Sequence, residues 1–284
     1  MSDLETPMTP EPPHCCSPAA FKSLARQLPT IERASSLVAA AVAISAHRSN
    51  VADIRDVERK LDQYADRIRS RVKGTQPQAL LAHLHAVLFD EEGFTGNRDR
   101  YDLDANSYLP SVLITKTGLP ITLALVYKAV ADRLGLRCWG VGLPGHFLAG
   151  IEIDGQTMLV DCFNGGRILT AEEARDRIER QFEGEVGWTE EFLQPLTHRS
   201  WITRMLQNLL NLFGKSDRFT EVAAMLELEM ILWPQEERLQ RDLGLVLARC
   251  GMNRPAGVWL DRYLDTHPDD PQYPELSQLR SVLG

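Results

Sequence analysis

The sequence predicts an α+β fold: a buried central helix packed on an antiparallel sheet, with helices before it and a helical repeat after it. Three observations carry this. The stretch "LPITLALVYKAVADRLGL" is apolar around most of its circumference, as a helix enclosed on all sides must be. The runs "HFLAGIEID" and "QTMLVDCF" meet at Asp154 and Gly155, a strong two-residue hairpin signal. Beyond residue 203, Pro234 and Pro268 are 34 positions apart, as are Leu209 and Leu243, Phe213 and Leu247, Val222 and Ala256, and Leu226 and Leu260. That is the period of a tetratricopeptide-type helix pair.

The elements follow in chain order. "MSDLETPMTPEPPHCCSPAA" is proline-rich, has neither a basic start nor a long apolar stretch, and reads as the beginning of a disordered tail over residues 1–28 rather than a signal peptide. Residues 35–44 are alanine-rich and helical in pattern. Residues 53–72 place apolar side chains at 54, 57, 61, 64, 65, 68 and 72, the spacing of one helix face. A third helix starts behind Pro77. The polar, glycine-broken stretch 90–110 carries Phe94, Tyr101 and Tyr108, so it reads as a loop packed onto the core. Pro120 suits the first turn of the central helix, and Gly135 ends it. Three strand-like runs follow, over 136–143, 146–154 and 156–163. The expected organisation is a tail (1–28), a core domain with N-terminal helices (29–198) and a helical repeat (199–284).

Composition excludes several function classes. Apolar residues make up 44% and charged residues 25% of the chain, and no apolar run reaches the ~18 residues of a membrane span. A net charge of −8 argues against a nucleic-acid partner, which needs clustered cations. The five cysteines are scattered and odd in number, which fits a reducing cytoplasm better than a disulfide framework. His14, Cys15 and Cys16 lack a second cluster at zinc spacing, so no metal and no cofactor is expected.

With the turn at 154 and 155, facing residues sum to 309, which sets Leu148 opposite Asp161 and His146 diagonally across from it. Such neighbours lie ~7–8 Å apart at the backbone, within side-chain reach. An aspartate accepting from one imidazole nitrogen can leave the other as a base. The same pair can equally be a buried hydrogen bond that holds strand register. Spacing alone favours the structural role.

The elements NSYL (106–109), GLPI (118–121), RLGL (133–136), PGHF (144–147) and DCFNGG (161–166) occur in an order that resembles the bacterial SirB-type family. Its members are transglutaminase-like proteins with tetratricopeptide-type helices at the C-terminal end. The resemblance implies a transglutaminase/cysteine-protease-like core in which a nucleophilic cysteine opens the central helix, a histidine begins the next strand segment and an aspartate lies on its hairpin partner. A helix start favours a thiolate, which explains that placement. Carried over, His146 and Asp161 take the last two roles and the cysteine position falls on Pro120 or a direct neighbour. No cysteine is there. The pair therefore reads as a residual dyad lining a cleft with Asn106, Tyr108 and Asn164. The expectation is a non-catalytic binding or regulatory protein. The alternative is an atypical hydrolase or acyl-transferase that uses His146 and Asp161 with water or Thr122. A structural adaptor with a vestigial cleft is a third reading. The repeat is expected to engage a protein or peptide partner through Asn208, Asn211 and Arg241, its buried leucines holding the stack together.

Overall fold

A computed structural model describes residues 12–48 and 53–283. Twelve α-helices and seven short strands occur among them. The N-terminal part contains α1 (Pro18–Ala25), α2 (Ala34–Ser45), α3 (Ile54–Arg69) and α4 (Pro77–His85). Asp53 caps α3, and the predicted face of Val57, Leu61, Tyr64, Ala65 and Ile68 is buried. Residues 12–28, read as part of a disordered tail, are structured instead; residues 1–11 lie outside the described residues. The backbone N–H groups of His14, Cys15 and Cys16 all donate to the carboxylate of the buried Glu227. Phe21 and Leu24 of α1 are buried. The anchor lies more than two hundred residues away along the chain, where local sequence pattern has no view of it.

The packed loop contains β1 (Thr95–Gly96), then α5 (Leu109–Thr115) and β2 (Thr117–Gly118), the two strands pairing in parallel. Phe94 and Tyr108 are buried as expected, whereas Tyr101 is exposed. The central helix α6 (Pro120–Arg133) starts on its proline, and its residues 120–131 are all buried. Gly135, at φ +77°, takes the left-handed turn that ends it.

A five-stranded sheet covers α6: β3 (Arg137–Val141), β4 (Leu148–Ile153), β5 (Gln156–Asp161), β6 (Arg167–Leu169) and β7 (Pro195–Leu196), in the order β6-β5-β4-β3-β7. The hairpin has the expected register, with Ala149 opposite Val160 and Ile153 opposite Gln156. Asp154 and Gly155 both have positive φ, as a type I′ turn requires. Helix α7 (Ala171–Gln181) begins with a capping box made by Thr170 and Glu173.

The chain then runs through α8 (His198–Lys215), α9 (Phe219–Leu232), α10 (Arg238–Arg249), α11 (Asn253–Thr266) and α12 (Tyr273–Val282). The starts of α9 and α11 are 34 residues apart and so are their ends, in agreement with the sequence period. The apolar core is continuous from α1 through α6 and the sheet into α8, α9 and α10, so it crosses the division expected at 198/199.

Candidate binding cleft

His146 ends the turn Leu143–Pro144–Gly145–His146, closed by a bond from His146 N–H to the Leu143 carbonyl. Proline second and glycine third, with Gly145 at φ +62°, is the pattern a type II turn demands. The imidazole then meets Asp161 at the open end of the hairpin, Nε2 to Oδ1 3.1 Å, with both side chains buried. The Phe163 ring stands edge-on to the imidazole, centroids 6.2 Å apart. An ionised carboxylate only accepts, so Nε2 carries the proton of the neutral ring and Nδ1 is the nitrogen left over.

Asp161 is held by more than the histidine. Its Oδ1 accepts from Asn164 N–H at 3.2 Å, and its Oδ2 accepts from Asn164 Nδ2 and from Arg177 of α7, each at 2.6 Å. Burial pushes its pKa up, but the hydrogen bonds from His146 and Asn164 and the Arg177 charge outweigh this and hold it at about 2. The DCFNGG stretch makes this geometry possible, because Gly165 and Gly166 at φ +67° and +76° turn the chain back and Gly166 N–H donates to the Asp161 carbonyl. Arg177 was not among the sequence-predicted residues. Arginine at one position of an amphipathic helix carries no signal of what it faces.

His146 borders a cleft of about 470 Å³ whose floor includes Leu119, Pro120, Ile121 and Phe147. Its other walls are the loop of Tyr101, Asp102, Leu103 and Ser107, and one face of α8: Arg204, Asn208, Asn211 and Lys215. The start of the central helix thus borders the same cleft as His146 with a proline and an isoleucine. Cys138 and Cys162 are buried, and burial pushes both thiols up. Neither borders the cleft.

The structure regroups the expected site residues. Asn164, expected to line the cleft, does not border it and instead donates to Asp161, which also lies outside the lining. Asn106 does not line the cleft. Its side chain bonds Asn97 and the Arg100 and Tyr101 carbonyls at 2.7–3.0 Å and pins the loop. Tyr108 is likewise buried outside it, its phenol raised to about 12 by burial. Thr122 is fully buried, its hydroxyl without a hydrogen-bond partner among the described residues, on a part of α6 that does not reach the cleft. Arg241 sits on α10, paired with Asp242 at 2.9 Å and apart from Asn208 and Asn211. Those two asparagines instead share the cleft with His146. Ser107, 2% exposed and bordering the cleft, was missed. Among these residues no group of three or more His, Cys, Asp and Glu is placed to hold a metal ion, and no helix is long and apolar enough to cross a membrane.

Comparison with known proteins places this geometry. The profile of the transglutaminase-like superfamily matches residues 55–207. A UPF0162 protein of Xylella fastidiosa is 35% identical over 212 residues, 73% of this chain and 75% of that protein. The chain belongs to the SirB-type transglutaminase-like family. Protein SirB1 of Salmonella typhimurium is 26% identical over 196 residues, covering 67% of this chain and 71% of its own length. Human F-box only protein 21 is 28% identical over 199 residues, which is 66% of this chain and 30% of that protein. No solved structure matches the chain. The family match ends inside α8, so the helix that walls the cleft begins within the transglutaminase-like region.

Proposed function

We propose that this member of the family is a non-catalytic binding protein, which holds a peptide segment of a protein partner between its transglutaminase-like core and α8, the first helix of a tetratricopeptide-type repeat. The observation that carries the reading is the composition of the cleft. Where a thiol would have to stand, Pro120 and Ile121 face it. The supporting carboxylate is already neutralised by Arg177, and a neutralised carboxylate gives less support to positive charge on the imidazole during proton transfer. The opposite wall offers the exposed amides of Asn208 and Asn211, each a donor and an acceptor that matches a peptide group.

Selection from a random peptide library on the immobilised full chain tests this. Enriched peptides should bind the wild type and Arg241→Ala alike and lose affinity for Asn208→Ala/Asn211→Ala, with no consumption of the peptide. The hydrolase reading has one observation in its favour, the Ser107 hydroxyl on the same cleft as His146. Ester turnover abolished by Ser107→Ala and by His146→Ala would establish that reading and overturn the binding one.

A further inference from the structure

We infer that the cleft recognises a carboxylate, carried by a peptide either as its free C-terminus or as an acidic side chain. This rests on the reading of the cleft as a binding site and specifies what it binds.

Arg204, Asn208, Asn211 and Lys215 follow one another at intervals of four, three and four residues, so they form a single stripe along α8, and all four border the cleft. Two of them are cations. Elsewhere in the molecule arginines are widely paired with carboxylates, as Arg67, Arg133, Arg177 and Arg280 are. Arg204 and Lys215 have no such partner among the described residues. The Arg204 guanidinium is half-buried beside the imidazole turn, where one of its NH2 groups donates to the Leu143 and His146 carbonyls at 2.8 and 3.2 Å. Burial pulls its pKa down with no acid to offset it. Space for the group is made at Gly142, where any β-carbon would overlap it. A cation kept in a cleft and left without a counter-charge is a feature that a bound anion would complete.

The rest of the lining selects among anions. The acid bordering the cleft, Asp102, is exposed at its rim. Two amides beside two cations suit a charged group attached to a peptide backbone, the amides taking the backbone and the cations the charge. Leu119 and Ile121, with the Phe147 ring beneath the Arg204 guanidinium, supply the apolar part of the lining. The chain as a whole carries −8, so a cationic stripe here is a local reversal of sign that draws acidic ligands to this face.

The test uses the full chain and short fluorescent peptide pools in three forms: free C-terminal acid without Asp or Glu, C-terminal amide without Asp or Glu, and C-terminal amide with Asp or Glu at varied positions. Binding is read by anisotropy at low and high salt. One or both carboxylate-bearing forms should bind about tenfold more tightly than the neutral form, the advantage shrinking at high salt. The form that binds names the source of the carboxylate. Lys215→Glu, an exposed change that leaves the fold alone, should remove the advantage, and Lys215→Arg should keep it. Arg204→Gln should do the same as Lys215→Glu, provided its thermal melt matches wild type. If the neutral pool binds as tightly as the acidic ones and is lost on Asn208→Ala/Asn211→Ala, the cleft is a peptide site without carboxylate preference, and this inference fails while the binding reading stands. A phosphorylated, unlabelled pool is added as competitor, and if it outcompetes both acidic forms the inference fails in favour of phosphate. If no pool binds, both fail.

Discussion

Asp161 shows how one buried carboxylate can be over-determined. Four contacts from three residues converge on its two oxygens, whereas His146 contributes a single one of them. Removing the aspartate strands an imidazole, an amide and a guanidinium. Removing the histidine leaves the aspartate well held. Asp161→Ala should therefore cost more stability than His146→Ala, with each loss on the order of 1–3 kcal/mol and a double mutant that falls short of the sum, as denaturant titration would measure. Additivity would mean that the two side chains do not interact. The acid limb gives a second reading of the same site. The folded-state pKa is held at about 2, below its ordinary 3.8, so the carboxylate stabilises the fold above pH ~4 and that contribution, about 2 kcal/mol, is lost as pH falls toward 2. Asp161→Asn should flatten stability over that window. A variant with the same acid slope as wild type would assign the slope to other groups.

At the scale of elements, α8 decides what the cleft is. It reaches the sheet by way of β7, whose Leu196 pairs with Gly140 of β3. Trp201 then lies where a side chain at residue 140 would have to be: a β-carbon on Gly140 would collide with the rings of Trp201 and Phe147. Gly140→Ala should force the helix away from the sheet and cost about 1–3 kcal/mol in a thermal or urea melt. Gly142→Ala presses only on the end of the flexible Arg204 side chain, so it should leave the melt nearly unchanged while weakening peptide capture. Equal melts for the two variants would show that α8 is not seated on β3 as described. Several motif residues behind the family resemblance act in the same architectural way. Asn106 pins the loop, Gly118 makes room for Val112, and the two glycines of DCFNGG turn the chain beneath Asp161.

For the whole molecule, the N-terminal segment, the transglutaminase-like region and the first C-terminal helices share one core. Trp201, Ile202, Met205 and Leu206 of α8 are fully buried in it, as are Ala223, Ala224 and Met225 of α9. A chain cut after residue 198 should consequently fail to fold to a cooperative unit, as loss of a sharp thermal transition and of amide-exchange protection in α6 would show. A sharp, wild-type-like melt of that fragment would restore the boundary expected from sequence. Glu227→Ala should act on the N-terminal segment. With its carboxylate gone, three backbone donors lose their acceptor, and residues 14–24 should exchange amide hydrogens faster while α6 stays protected.

Much of this protein was legible in one dimension because the deciding interactions are local or periodic. The central helix announces itself by apolar residues around its circumference, the hairpin by Asp154-Gly155 and by a register that follows arithmetically from the turn, and the C-terminal helix pairs by a 34-residue recurrence. The contact of His146 with Asp161 follows from that same register. What the sequence leaves open is set by contacts between segments remote along the chain. Arg177 reaches Asp161 from another element, Glu227 captures the N-terminal backbone, and α8 swings over the sheet so that Asn208 and Asn211 join the His146 cleft and not Arg241. Such contacts depend on the direction a whole element takes after packing. Polar residues on exposed helix faces carry no periodic constraint that would reveal that direction in advance.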